Sequence, residues 1–397
     1  MNELLGLEEA QARILALAPA LPREAVPLPA MLGRYLAEDL RAARTQPAAD
    51  LSAMDGYALA PGAGPWTLVG ESRAGAPFAR TLAPSECVRI STGAVLPEGA
   101  ERVLLQEDAQ RDGNLITAAE TPPPGANIRL RGLDFSIGDL LLTRGTLMTP
   151  ARIALALAAG HAEVMATRPL RVAVMDSGDE LTADPANCAP HQLPASNAAM
   201  LAAMLGPLGC DVTRIGPVPD DRAALAAALG QAEGADLLIT SGGASVGDHD
   251  LIKPALADWG AETAFWKVAI KPGKPLLVAT RPRAWGTQVV LGLPGNPVSS
   301  FVTAFLFALP LVRASMGAAN PLPVTATAVM TEPLPAVGKR REFLRAVRDG
   351  DEVRIAGSQD SSALSALALA DCLIDRAADA PALAAGSTVT VYPLQNG

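Results

Sequence analysis

Residues 237–250 read LLITSGGASVGDHD: a short apolar run, paired glycines, hydroxyl residues, a third glycine and acids. That order suits the place in an α/β sheet where a buried strand ends over a ligand and a helix begins. Leu237, Leu238 and Ile239 fit a strand covered on both faces. Gly242 and Gly243 allow a sharp turn and a close backbone approach, and Ser241 and Ser245 then face whatever lies at the strand end. Open α/β sheets bind ligands in the crevice at the carboxyl ends of their strands, and a Gly/Ser loop there can hold an anion through backbone N–H groups. The competing reading is a plain strand-to-helix turn with Asp248 or Asp250 as N-cap. A second loop, Pro294-Gly295-Asn296-Pro297, favours the ligand site.

Outward from this stretch, strand and helix patterns alternate from Arg171 onward. RVAVMDSG (171–178) and DVTRIGPV (211–218) read as strands, and 196–208 and 220–231 as helices. Two more strands, PLLVAT (275–280) and TQVVLGL (287–293), precede a long apolar helix over 297–316. Such alternation implies βαβ units and a parallel sheet. Residues 1–46 read as helical, with a proline-marked break at 21–29 and a second helix near 31–42. Residues 47–141 alternate short strands (66–69, 87–90, 102–106) with the turns GAGP, PEG and PPPG, the texture of a β-rich insert. The pattern over 150–165 returns to helix, ending at Gly160, and is expected to pack on the N-terminal helices, so that 1–46 and 142–168 form one discontinuous helical domain. The α/β domain then covers 169–318. Residues 319–397 form a C-terminal β domain with strands VTATAVM, EFLRAVR and TVTVYPL and a short helix near 361–370.

At 397 residues the chain predicts two to four domains. A net charge of −9 argues against general nucleic-acid binding, which needs clustered Lys and Arg. Cysteines at 87, 188, 210 and 372 have neither zinc-ligand spacing nor disulfide density. The N-terminus carries acids early, unlike a signal peptide. The longest apolar run, 302–312, is short and interrupted by Pro310. No membrane and a reducing, cytoplasmic setting are the expectations.

Four acids fall at strand ends or helix starts: Asp55, Glu180, Asp220 and Asp250. Each has a structural reading, Asp55 as a turn former before Gly56 and Asp220 as an N-cap. A parallel sheet would bring Glu180, Asp220 and Asp250 to one rim, where clustered carboxylates suit Mg²⁺ and the phosphate oxygens it brings. Opposite in sign is FWKVAIKPGKP (265–275), whose Lys267, Lys271 and Lys274 form either a solvated face or, rigidly presented by prolines, an anion site. The loop 294–297 places Asn296 at an N-cap and Pro297 at the first helical position, where free N–H groups would face the same anion.

SAMDGYA, RISTGAVLPEGAERVLLQED, PGANIRLRG, SGDEL, SGGASVGDHD, FWKVAIKPGKP and GLPGNPVS occur in the order found in the molybdopterin molybdenumtransferase (MoeA) family, which the chain resembles from about residue 5 to its end. The eukaryotic gephyrin E domain is similar. The resemblance implies a multidomain α/β plus β fold, with a parallel-sheet molybdopterin-binding domain, a β-rich insert, a discontinuous helical linker domain and a C-terminal β-barrel-like domain. It further implies a homodimer and insertion of molybdate into adenylylated molybdopterin with release of AMP, aided by Mg²⁺. The preceding adenylyltransferase and acceptor molybdoenzymes are implied partners. By the same resemblance Asp55, Thr92, Glu180, Asp220 and Asp250 are catalytic, and Glu180, Asp220 and Asp250 hold metal. Ser245, Lys267, Lys271, Lys274 and Pro275 line the substrate site, with Arg345 and Ser361 on molybdate, and the helix-start loop read above adds Pro294, Asn296 and Pro297 to the binding residues. Two departures bear on pterin contact and loop conformation: Pro194-Ala195 precedes Ser196-Asn197 where an acidic or aromatic residue is usual, and RGLD (131–134) replaces RGED. A pterin-binding scaffold and the adenylylation step itself are the alternatives. The intact acid set and the extra domains favour metal insertion.

Overall fold

The computed structural model of the chain describes residues 4–242 and 251–394, Trp266 by its backbone alone. At its centre is a six-stranded sheet in the order Asp211–Val218, Arg171–Ser177, Leu237–Ser241, Gly286–Leu293, Leu277–Arg283, Glu262–Trp266. The first four strands are mutually parallel. Leu277–Arg283 runs antiparallel to both its neighbours, a departure from the all-parallel expectation. The cause is local: only Ala284 and Trp285 separate it from Gly286–Leu293, and a two-residue turn can join strands only as a hairpin.

The central strands are buried on both faces. Val172 and Val174 point to one core with Leu237 and Ile239, while Ala173, Met175 and Leu238 point to the other. Helices Arg222–Gln231 and Ile252–Asp258 cover the second face. The first face carries Asn197–Leu205, the N-terminal helix Leu7–Leu15 and a long helix from Pro297 to Ser315. That helix does not break at Pro310. Its middle five residues, Ala304–Ala308, take the wider π turn just before the proline, where an imino ring would otherwise collide with the preceding turn. Leu306 is four residues before Pro310, which has no N–H to offer its carbonyl. Gln11 Nε2, from the N-terminal helix, donates to that oxygen at 3.0 Å. The helix is long and apolar enough to cross a membrane, yet 89% of its apolar window is buried within the protein.

The N-terminal region departs furthest from expectation. Leu7–Leu15 packs into the core of the α/β domain, not against the helix Pro150–Ala158. Residues 23–27, read as part of a break, form a strand antiparallel to Glu163–Thr167. Residues 31–42 contain no helix; Leu40–Arg41 pairs instead with Leu140–Leu142. The two distant pieces of chain do come together, around Val26, Leu28, Met31, Leu36, Met148 and Ala156. The spacing of Met31, Leu36 and Leu40 reflects burial in turns and a short strand, which a helix-spaced pattern does not distinguish.

The insert is a six-stranded sheet ordered Arg102–Leu105, Gly56–Leu59, Glu86–Ile90, Trp66–Ser72, Leu115–Ala118, Ala109–Asp112. At the C-terminus Arg341–Asp349, Glu352–Ile355, Ala326–Met330, Thr388–Pro393 and Cys372–Arg376 close into a five-stranded barrel. Ile270–Lys271 adds to its edge beside Arg341–Glu342, so the lysine loop is shared by the α/β domain and the barrel. Phe305 meets Tyr392 edge-on at 6.1 Å, and Phe343 belongs to the same core as the sheet. These contacts fix the barrel over the carboxyl end of the sheet.

Candidate active site

A cleft of about 580 Å³ opens at the carboxyl ends of the parallel strands. Glu180 and Asp220 stand in its walls with Asn197, Gly242 and the loop 294–297. Gly178, at φ +152°, carries the Glu180 carboxylate against it: a Cβ there would lie 2.5 Å from Glu180 Oε2. Gly242, at φ +100°, lets the chain pass over Ser177, whose carbonyl would lie 2.4 Å from a Cβ. Asp220 is not the helix cap that its position suggested. Asp221 takes that role, accepting from the N–H groups of Ala223 and Ala224 at 2.9 Å each. Asp220 is thereby left at the rim, its own N–H donating to Asp179 Oδ1 at 2.9 Å. Burial pushes the Asp220 carboxyl above its ordinary range, and the negative charges of Asp179 and Glu180 push it the same way. Asp250 and Ser245 lie outside the described residues. Among the described residues no group of three or more His, Cys, Asp or Glu is placed to hold a metal by itself.

A second cavity, about 370 Å³, adjoins the first at Pro275, which lines both. Lys271, Lys274, Arg340, Arg345, Glu342 and Ser361 line it. Lys267 does not. Lys271 is already paired, its Nζ 2.8 Å from Glu342 Oε1. Arg345 is 1% exposed and donates to the carbonyls of Ser358 and Asp360 at 2.9 and 3.0 Å, which fixes the loop bearing Ser361. Burial holds its guanidinium below the usual arginine range, and Asp360 opposes that shift.

Asn296 and Pro297 occupy the N-cap and first position of the long helix, as expected. Two details differ. The Asn296 side chain makes no cap; its Nδ2 donates to Ser361 Oγ at 3.0 Å. The Val298 N–H, the first that the helix offers after Pro297, is taken by the Ser361 carbonyl at 3.2 Å. The helix start therefore binds the barrel loop before it can bind an anion, and Asn296–Ser361 forms the partition between the two cavities.

Asp55 and Thr92 are brought together in the insert. The Thr92 N–H and hydroxyl both donate to Asp55 Oδ1, at 2.7 and 3.0 Å. The backbone bond first, then the hydroxyl, holds the Asp55 carboxyl below the ordinary range. Gly56 permits this position because a Cβ there would lie 1.9 Å from the Leu104 carbonyl oxygen of the neighbouring strand. Neither Asp55 nor Thr92 lines the cleft that contains Glu180 and Asp220.

Three family descriptions match the chain in tandem: MoeA N-terminal region (domain I and II) over 5–160, probable molybdopterin binding domain over 173–314, and MoeA C-terminal region (domain IV) over 327–394. The chain is 36% identical over 407 residues to the molybdopterin molybdenumtransferase of Haemophilus influenzae, covering 99% of each. The chain belongs to the molybdopterin molybdenumtransferase family. It is accordingly a transferase of molybdenum cofactor biosynthesis. Molybdopterin molybdenumtransferase 2 of Mycobacterium tuberculosis is 36% identical over 388 residues, covering 93% of this chain and 94% of that one. The crystal structure of the molybdopterin biosynthesis MoeA protein from Pyrococcus horikoshii superposes with a TM-score of 0.84 at 25% identity, covering 98% of this chain and 100% of that chain.

Within this family fold two cleft residues, Asp176 and Asn197, and Asp179, which holds the Asp220 backbone beside them, were not singled out from the sequence as site residues. Asp176 ends an apolar run and reads as the exposed tip of a strand, yet it is 2% exposed. Asp179 neighbours Glu180 in SGDEL, so the motif itself was the signal. Asn197 was visible only as half of the Ser-Asn pair, but it spans the site, its Nδ2 donating to Ser241 Oγ at 2.8 Å and to the Gly295 carbonyl at 2.7 Å. A further cavity, about 770 Å³, lies elsewhere, around Arg168, Arg171 and Arg283 near the starts of the strands, and none of the residues expected from the sequence lines it.

Proposed function

We propose that this transferase inserts molybdate into adenylylated molybdopterin, releasing AMP and the molybdenum cofactor, with Mg²⁺ and as a homodimer. The supporting observation is the adjacency of an acid-rimmed cleft and a cation-rich pocket that share Pro275 and are divided by the Asn296–Ser361 bond. A substrate with phosphates at one end and a metal-accepting group at the other needs such a pair of compartments. The cleft suits the nucleotide-bearing portion and the pocket the molybdate oxyanion.

The acid rim fits a hard divalent cation. Asp220 is crowded by Asp179 and Glu180, a charge density that a cation relieves, and carboxylate oxygens are the donors Mg²⁺ prefers. Glu180 and Asp220 would hold it, with Asp250 as the expected third ligand. Magnesium, when bound, supplies neutralisation of phosphate charge. Lys274 makes no ion pair among the described residues and offers its ammonium to the oxyanion, while Lys271 shares its charge with Glu342. The Ser361 hydroxyl accepts from Asn296 and keeps its own hydrogen to donate. Arg345 acts from behind, holding the loop that carries Ser361. The Asp55–Thr92 pair is exposed on the insert and, among the described residues, lines neither the cleft nor the lysine pocket, so a two-fold partner is the natural recipient.

The test is to incubate the purified protein with adenylylated molybdopterin, molybdate and Mg²⁺ and to measure AMP together with activation of a cofactor-free molybdenum enzyme. Both should appear in equal amounts. AMP without activation would contradict the insertion reading.

A further inference from the structure

The geometry points to Asp176 as a further ligand-binding residue of the cleft, accepting N–H hydrogen bonds from the amino-pyrimidinone edge of the substrate's pterin ring. The inference rests on the proposed substrate and assigns one end of it to one corner of the site. Asp176 is the penultimate residue of the strand Arg171–Ser177 and lies on the face of the sheet that carries the helix Asn197–Leu205. Its Oδ2 accepts the Ala198 N–H at 2.9 Å, in the first turn of that helix, whose N-cap Ser196 makes no side-chain cap of its own. Capping occupies only half of the carboxylate. The other oxygen, Oδ1, is buried and has no partner among the described residues, although Asp176 is part of the cleft wall. A buried carboxylate oxygen without a donor is unfavourable, so a residue kept in this state has a donor to receive.

The neighbouring groups define which donor. Asn197 gives both N–H bonds of its amide to Ser241 Oγ and the Gly295 carbonyl. The Gly295 carbonyl can only accept, which fixes the amide orientation and leaves Asn197 Oδ1 as an acceptor. This corner thus presents two acceptors, Asp176 Oδ1 and Asn197 Oδ1. Acceptors repel anions: molybdate belongs with the lysines on the far side of Pro275, and the substrate's phosphates belong with the cation that Glu180 and Asp220 would hold. The two acceptors match a ring edge that carries a ring N–H beside an exocyclic NH₂, as a 2-amino-4-oxopteridine does. Burial also raises the Asp176 carboxyl above its ordinary range, as expected of a group that awaits a donor in a dry wall.

The test uses the full-length protein and two ring probes, pterin (2-amino-4-oxo) and lumazine (2,4-dioxo), with AMP as a control, each titrated against wild type, Asp176→Asn and Asp176→Ser. Wild type should bind pterin at least tenfold more tightly than lumazine. In Asp176→Asn, which retains a capping oxygen for Ala198, that preference should fall to within about threefold while AMP affinity stays within twofold. Asp176→Ser, with a smaller capping oxygen, should behave alike and guards against misfolding of either variant. An unchanged preference in folded variants would overturn the inference alone and leave Asp176 as a helix cap. A wild-type protein indifferent to the two rings overturns it without any variant, and if adenylylated molybdopterin also fails to bind, the substrate reading falls with it.

Discussion

At the scale of single residues, position in a motif and position in space diverge in instructive ways. Asp220 and Asp221 are adjacent acids in PDDR, and the sequence does not say which caps the helix; the fold gives the cap to Asp221 and the cleft to Asp220. Asp55 and Thr92 are 37 residues apart yet share hydrogen bonds, a pairing legible only because both lay in quoted motifs. Asp176 was illegible because an acid after an apolar strand is ordinarily exposed. Lys271 was legible as a cation but not as the partner of Glu342, which comes from another domain. Asp236 offers a residue-scale test away from the site. Burial pushes its carboxyl up, but hydrogen bonds from Arg168 and Arg171 outweigh burial and hold it at about 2 against an ordinary 3.8. A folded value below the unfolded one means that its stabilisation is present above about pH 4 and fades as pH falls towards 2. The contribution at neutral pH should be roughly 2 kcal/mol, from the size of that shift. Denaturant titrations of wild type and Asp236→Asn should therefore converge as pH falls through this window; parallel curves would show that the pairing adds nothing.

At the scale of elements, periodicity located the strands and helices of the α/β domain well, because buried parallel strands and amphipathic helices carry strong patterns. It failed where apolar residues are buried by turns, as at Met31 and Leu36, and where a hairpin reverses a strand, as at Leu277–Arg283. It placed the long helix over 297–316, but not the π turn before Pro310 or the donor that Gln11 supplies there. The helix is continuous because a side chain 295 positions away serves the carbonyl that proline cannot. Gln11→Leu should leave that buried acceptor short of a donor and lower stability by about 1–3 kcal/mol. Thermal unfolding compared with Gln11→Glu and wild type would check it, and a loss below the scatter of exposed substitutions would show that the π turn alone suffices.

At the scale of the whole molecule, the barrel closes the pocket, the α/β domain supplies the acids, and the insert carries Asp55 on a separate sheet. Motif order conveyed this division of labour, but no stretch of sequence shows that the lysine loop pairs with the barrel edge or that Asn296 bonds Ser361. If a two-fold partner supplies Asp55, a heterodimer of Asp55→Asn and Asp220→Asn subunits has one pocket with both acids intact. It should regain roughly half the wild-type sites, since one of two equivalent pockets is restored. Two differently tagged subunits purified together would show this, whereas activity no higher than that of the parent homodimers would place the pocket within one chain. The most direct test of the acid rim and basic pocket as one catalytic site is single-turnover release of AMP from bound adenylylated molybdopterin. Wild type should release one AMP per pocket only when Mg²⁺ and molybdate are both present, and Asp220→Asn should release almost none while still binding the substrate. Release by Asp220→Asn at the wild-type rate, or release indifferent to Mg²⁺, would contradict the account.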